Sequence, residues 1–242
     1  MIDKSYIGKG EWYMGLYAGG PLVSAGNCSQ ITLGATEEEK KLKDYRSAGG
    51  GDANVLKRIE SVTLSIVAHD FNASNIATGL FGTASAVAAG AVVDEAQTTP
   101  ADVSSDFLLP TDFAIDTTQT VSITGYNVNT DFTVTAAGVL VLASGNIPAS
   151  TALAISYTKL DVDLVELLVN SGFEYKAVFV GLNEAQSNTP VIVRPYRFKF
   201  GPTESWELIG DDFGSITLSG VLLKDSSITT PGLSQYATVT LA

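Results

Sequence analysis

The sequence holds one cysteine, Cys28, and one histidine, His69, in 242 residues. A single thiol excludes an intramolecular disulfide and fits a reducing compartment. One thiol and one imidazole also exclude the paired-Cys and paired-His spacings of zinc sites. Cys28 therefore reads as a small, half-buried strand residue rather than a nucleophile. Cations are scarce: 14 Lys and Arg stand against 26 Asp and Glu, for a formal charge of −12. That balance excludes wrapping nucleic acid, which needs a surplus of positive charge to displace counterions. It leaves open a passage that DNA must traverse without adhering. Long apolar runs are missing as well. MIDKSYIGKGEWYMG has none after its lysines, so no secretory signal is expected. ATGLFGTASAVAAGAVV, residues 77–93, is too rich in Ala and Gly to span a bilayer, and no membrane association is expected. Assembly in a cytoplasm follows as the expectation.

What is present is β periodicity. RIESVTLSIVAHD sets Val62, Leu64, Ile66 and Ala68 on one face, with Ser61, Thr63 and Ser65 on the other. GSITLSGVLL repeats the pattern, with Ile216, Leu218 and Leu222 opposite Ser215, Thr217 and Ser219. In CSQITLG, Ile31 and Leu33 oppose Cys28, Gln30 and Thr32. Period-two alternation predicts sheets with one buried and one wet face. FEYKAVFVGL, PVIVRPYRFKF and YATVTLA supply further strands, and Pro195 predicts an edge or a bulge. Helical signal is limited to two segments. FNASNIATGLFG is predicted as a short helix capped by Asn72 or Ser74 and ended by Gly82. LDVDLVELLVNSG is predicted as a second, with Asp161 or Asp163 at its start and Gly172 as its stop.

Residues 98–159 read as an insertion. A polar, proline-punctuated start leads into four short strand candidates: QTVSITGY, DFTVTAA, GVLVLA and TALAISYT. The expected product is a small β subdomain with a thin core that leans on the main domain, 1–97 and 160–242. No constellation with catalytic or metal-binding spacing is found, so neither an enzyme nor a cofactor is expected. Asp161 and Asp163, and Asp211 and Asp212, read as turn or helix-start residues. Gly49-Gly50-Gly51 lacks the Lys-Ser/Thr of a phosphate cradle.

The cations themselves are unevenly placed. Thr36–Arg58 contains six of the 14, and no Lys or Arg follows until Lys159. In this segment the acids Glu37, Glu38 and Glu39 lead, and Lys40, Lys41, Lys43, Arg46, Lys57 and Arg58 trail. Its length exceeds an ordinary connection between consecutive strands, which predicts a functional loop. Taken as a hairpin, each arm of about eleven residues reaches ~35 Å, beyond the ~18 Å radius of gyration of a compact chain this size. Such an arm can touch another copy, and segregated charge suits a register-setting contact between identical subunits.

These segments together resemble a known family. GKGEWYMGLYAGG, the run from PLVSAGNCSQITLG through the charged segment to NIATGLFG, the inserted DFTVTAAGVLVLASGNIPASTALAISYTKLDVDLVELL, and VFVGLNEAQSNTPVIVRPYRFKFGPTESWELIGDDFGSITLSGVLLKD occur in the order found in major tail tube proteins of long-tailed, siphovirus-type bacteriophages. The resemblance implies a mainly β fold of two packed antiparallel sheets, a β-sandwich or half-barrel, with a short flanking helix and a long inter-strand loop. It implies a structural protein of the virion tail whose copies form hexameric rings with one continuous β-barrel. The rings stack through the loop that Thr36–Arg58 would occupy, which makes Glu37, Glu38, Glu39, Lys40, Lys41, Lys43, Arg46, Lys57 and Arg58 the expected inter-ring contacts. The implied partners are other copies of the chain, a tape-measure protein, tail terminator and baseplate proteins, and double-stranded DNA passing without sequence-specific binding.

The resemblance does not say which residues line the channel. The small polar strand faces supply the candidates: Gln30, Thr32, Ser61, Thr63, Ser65, Ser215, Thr217 and Ser219. Glu60, Asp211 and Asp212, with Asp70, are candidates for a negative wall, and the insertion is expected on the tube exterior. Two other readings share the composition: a type VI secretion-like tube ring, and a β-rich surface adhesin or receptor-binding module whose binding face is the insertion.

Overall fold

A computed structural model describes residues 4–46, 48–170 and 172–241; Met1–Asp3 of the stretch read for a leader, with Ser47, Ser171 and Ala242, lie outside them. The chain forms β1 (Gly8–Leu16), β2 (Val23–Ser24), β3 (Cys28–Lys43), β4 (Asp52–Ala68), α1 (Ala73–Gly79), β5 (Thr83–Val87), β6 (Gly90–Thr98), β7 (Phe107–Pro110) and β8 (Ser122–Ile123). It continues through β9 (Phe132–Thr135), β10 (Gly138–Val141), β11 (Ala152–Lys159), β12 (Val162–Glu166) and β13 (Glu174–Asn183). A 3-10 turn (Glu184–Gln186) leads to β14 (Thr189–Pro195), β15 (Phe198–Phe200), β16 (Ile216–Leu222) and β17 (Ala237–Leu241). Two compact units result: residues 1–84 with 165–242, and residues 85–164.

The larger unit is built on one nine-stranded antiparallel sheet in the order β17-β14-β13-β15-β16-β4-β3, with β1 on β13 and β2 on β1. The path ends at β17 and at β3, so the sheet is open and closes no barrel within the chain. Its core joins Trp12 and Met14 of β1, Leu64 and Ile66 of β4, Ala177 of β13, Phe198 and Phe200 of β15, and Ile216, Leu218 and Leu222 of β16. Both halves of the sheet thus share one apolar interior, in place of the two separate sheets expected. The joint is the break between β14 and β15 at Tyr196 and Arg197. There Arg197 donates two hydrogen bonds of 2.8 Å to Glu174 and lies 5.3 Å from the centre of the Tyr17 ring. The paired guanidinium holds the Glu174 carboxyl below its ordinary pKa. Pro195, whose missing N–H suits it to a strand end, is the last residue of β14 before that break.

The alternation read from the sequence is realised in β4 and β16, where Leu64, Ile66, Ala68, Ile216, Leu218 and Leu222 are buried. The first predicted helix is α1. Asn72 caps it by accepting a hydrogen bond from the Asn75 amide at 2.8 Å. Seven residues are too few to be stable alone. The buried Asn75 side chain supplies the anchor, donating to the carbonyls of Ala25 and Asp70 at 2.9 and 2.8 Å.

The second predicted helix is absent: Val162–Glu166 forms β12, paired with β5. Val162 and Val165 favour a strand, and Leu168, at φ +59°, takes the left-handed conformation that stops a right-handed helix. The Thr36–Arg58 loop is also corrected. β3 and β4 remain paired from Cys28↔Ala68 to Lys43↔Asp52, so this segment is a hairpin whose strands end at Lys43 and Asp52. Its register shifts between Cys28 and Gln30, and between Thr36 and Glu37. The first shift inserts Ser29 as a bulge, which turns Cys28 to the core side, opposite to its predicted face.

The smaller unit has two three-stranded antiparallel sheets, β7-β10-β9 and β6-β11-β8. Its interior holds Leu109, Ile115, Val121, Ile123, Phe132, Val139, Val141, Ile147, Leu153, Ile155 and Tyr157. This is a core of its own, where a thin one was expected. β8, β9, β10 and β11 fall in the four predicted segments. β6 lies inside the Ala- and Gly-rich stretch and its polar continuation, and the unit accordingly begins at residue 85 instead of 98 and ends at 164 instead of 159.

Candidate functional site

The registers of β3, β4 and β16 place small polar side chains in rows across one face. Gln30 lies opposite Val67 and Val67 opposite Thr217; Thr32, Ser65 and Ser219 form the next row. Gly34, Thr63 and Val221 follow, and then Thr36 with Ser61, whose hydroxyls are 2.8 Å apart. Seven of the predicted channel residues, Gln30, Thr32, Ser61, Thr63, Ser65, Thr217 and Ser219, are therefore assembled on one surface. Thr36, Gly34, Val67 and Val221 complete it. Sequence reasoning missed them because Thr36 was assigned to a loop and the candidates were chosen as polar side chains, which leaves out glycine and valine. Within these three strands the face carries no Lys, Arg, Asp or Glu; the row of Gly34, Thr63 and Val221 continues into β15 at the exposed Lys199.

The other candidates lie elsewhere. Ser215 precedes β16, and Asp211 and Asp212 belong to the exposed irregular segment between β15 and β16. Glu60 stands unpaired at the register shift where Thr36 meets Ser61 and Glu37 meets Ile59. Asp70 accompanies the exit of β4, close enough to Cys28 to matter: burial first, and then the Asp70 charge, push the Cys28 thiol up. That keeps the sulfur protonated and weakly nucleophilic at neutral pH.

Beyond the bulge the β3–β4 hairpin is an exposed arm. Residues Asp52–Glu60 of β4 are all exposed, including Val55, Leu56 and Ile59. About eight residues of paired strand give the arm a length of ~26 Å. Gly50 at φ +62° supplies the left-handed backbone that the tip requires. Tyr45 there is 85% exposed.

All six cations of the arm face arm carboxylates. Lys57 reaches Glu37 at 3.5 Å, Lys40 and Arg58 reach Glu38 at 3.1 and 3.8 Å, and Lys41 reaches Glu39 at 3.3 Å. Lys43 meets Asp52 at 2.6 Å and Arg46 meets Asp44 at 3.3 Å. The charges that suggested a contact between subunits are thus neutralised within the hairpin. Exposed pairs of this kind are held weakly and exchange partners at little cost.

The outer edge of β3 faces no other strand among the described residues. Edge strands in soluble proteins usually carry charge or proline against unwanted pairing. β3 does so from Glu37 onward, but CSQITLGAT, residues 28–36, has neither. At the opposite end β17, ATVTL, is also uncharged. A cleft beside α1 is lined by Met14, Leu16, Ala77, Thr78, Phe173 and Tyr175 and offers apolar surface without a carboxylate. Among the described residues no three His, Cys, Asp or Glu side chains converge as a metal site, and no helix is long and apolar enough to cross a membrane.

A family model described as "Protein of unknown function UCP028589" matches residues 5–240. The chain belongs to that family. The matched span includes the arm and all of residues 85–164, so both are parts of the family's pattern. No curated protein matches the chain.

Proposed function

We propose that the chain is a structural subunit of a self-assembling tube: stacked hexameric rings of the phage tail-tube kind, assembled in the host cytoplasm and conducting DNA. The observation that carries this reading is the unguarded edge of β3. A sixteen-residue strand whose first half lacks charge and proline is a template for another strand, and a second copy is the partner that blunts it without self-aggregation in all directions. The uncharged β17 gives each copy a second end to its sheet, as a ring requires. Around such a ring, the hydroxyl face of β3, β4 and β16 becomes a wall of small polar side chains, with Lys199 of β15 as the cation at its border.

The charge distribution refines the sequence argument. Residues 85–164 contain nine carboxylates and one lysine, for −8, so they hold most of the −12. The remainder carries −4. A strongly negative lumen therefore does not follow from total charge; a largely neutral hydroxyl lining serves the same passage, with Glu60 the candidate carboxylate that stands beside it in register. The separate core of residues 85–164 favours a second role for that unit, an independently folded module displayed on the tube exterior.

Concentrated protein is expected to show rings or tubes by negative-stain microscopy and a large species in sedimentation. Thr32→Lys, on the exposed edge, is expected to leave a folded monomer that forms neither. A wild-type protein that stays monomeric at high concentration would overturn the reading.

A further inference from the structure

The arm has a destination on another copy. β4 runs from Asp52 at the arm tip to Ala68 at the other end, 17 residues that span about 55 Å. At that far end lies the connection between β15 and β16, residues 201–215. Its two ends are fixed: the Thr203 amide donates to the Gly79 carbonyl at 2.7 Å and its hydroxyl to the Thr217 carbonyl at 3.1 Å. Trp206 stacks on Phe71 with ring centres 6.3 Å apart, and the Gly214 carbonyl lies 3.0 Å from His69 Nδ1. Between these anchors Leu208, Ile209 and Phe213 are 78%, 91% and 97% exposed. Three large apolar side chains left in water within six residues forgo the stabilisation that burial would give each.

The same connection contains Glu204, Glu207, Asp211 and Asp212 and no cation, for a charge of −4. The arm, residues 36–58, has six cations against five carboxylates, for +1, within a chain of −12. The arm also exposes apolar side chains, Leu42, Tyr45 and Leu56. The two surfaces thus complement each other in charge and both lack cover. They stand at opposite ends of one long strand, so they cannot meet within a chain. A contact between them is heterologous, head to tail, and repeats without limit along one axis.

We infer that residues 204–213 of one copy receive the arm of the next, with Leu208, Ile209 and Phe213 buried against Leu42, Tyr45 and Leu56 and the loop carboxylates exchanging with Asp44 and Asp52 for Lys43 and Arg46. This rests on the tube reading and names the docking surface within it. Exposed arm ion pairs make that exchange inexpensive, and the apolar contacts supply the adhesion.

The test uses the full chain. Leu208→Ser/Ile209→Ser/Phe213→Ser, at exposed positions, is expected to retain rings and lose tubes in negative-stain images. Asp211→Lys/Asp212→Lys is expected to lose tubes likewise, and Lys43→Glu/Arg46→Glu added to the same chain is expected to restore them. Wild-type tubes that persist in the triple variant overturn the inference alone, as does a triple variant that loses rings, which would place the loop at the lateral contact. Failure of the arm substitutions to rescue overturns the arm as occupant. A wild-type protein without rings overturns the tube reading itself.

Discussion

The two units of this chain treat their apolar surface differently. Of 29 large hydrophobic side chains exposed among the described residues, five belong to residues 85–164, although that unit holds a third of the chain. The other 24 belong to the larger unit, and 13 of them are grouped along the arm, on the β15–β16 connection, at β17 and around Leu16 to Val23. The smaller unit keeps its carboxylates busy instead. Asp131, 1% exposed, accepts from the amides of Asn127 and Asn146 at 2.7 and 2.8 Å. Glu95 accepts from the Tyr157 hydroxyl at 2.5 Å. One unit covers most of its large apolar side chains within the chain, and the other leaves many of them in water.

The largest expected effects separate the two cores. Phe132→Ala should destabilise only the smaller unit, and Phe198→Ala only the larger, each by about 3–5 kcal/mol as for other fully buried aromatic truncations. Calorimetry is expected to show two transitions, one of which moves in each variant. A single transition that moves in both would show that the cores unfold as one.

The next effect is pH. In the smaller unit Glu95 must overcome its burial, the largest influence and an upward one, yet hydrogen bonds from Tyr157, Gln97 and the Asp112 amide hold its pKa below the ordinary value. The amides of Asn127 and Asn146 depress Asp131 in the same way. Depressed carboxylates contribute stability above their unfolded pKa values, and it is lost as pH falls through the folded ones. Tyr157 moves in the opposite direction: burial first, and then its bond to Glu95, raise it from 10.0 to about 12. Its contribution is complete below pH 10 and is lost as pH rises towards 12. Thermal melts should therefore show the smaller unit's transition falling below about pH 4 and again above about pH 10. Tyr157→Phe removes the bond to Glu95 and the one accepted from the Phe113 amide, and about 1–2 kcal/mol of that unit's stability should go with them. The alkaline fall should shrink with it.

Most of the strand content was legible, because alternation such as Val62, Leu64, Ile66 and Ala68 states both the strand and its buried face. The short helix was legible from Asn72 and its spacing. What escaped depended on partners distant in sequence. Val162–Glu166 follows a leucine-rich pattern that suits a helix until β5 offers it an edge. Cys28 changes face through a bulge at Ser29 that no alternation reveals. The arm was visible as a concentration of charge, but its reach is shorter than the eleven residues expected, and the pairing of each lysine and arginine with an arm carboxylate required the register. The exposed loop between β15 and β16 is present in the letters as WELIGDDFGS, but that Leu208, Ile209 and Phe213 stand in water required the structure.

The smallest expected effect bears most directly on the difference between the units. Lys57 and Glu37 form an exposed pair at 3.5 Å on the arm. If the arm serves its own unit, breaking that pair should lower the stability of the larger core. If the arm is an adhesive projection, its local pairs fix only its own twist, since the side chains are solvated and nothing of the core depends on them. Glu37→Gln is then expected to leave the Tm of both transitions unchanged at low and high salt, while the salt range over which tubes form shifts. A Tm that falls with Glu37→Gln, and falls further at low salt, would return the arm to the folded body and remove the contrast between a closed unit and an open one.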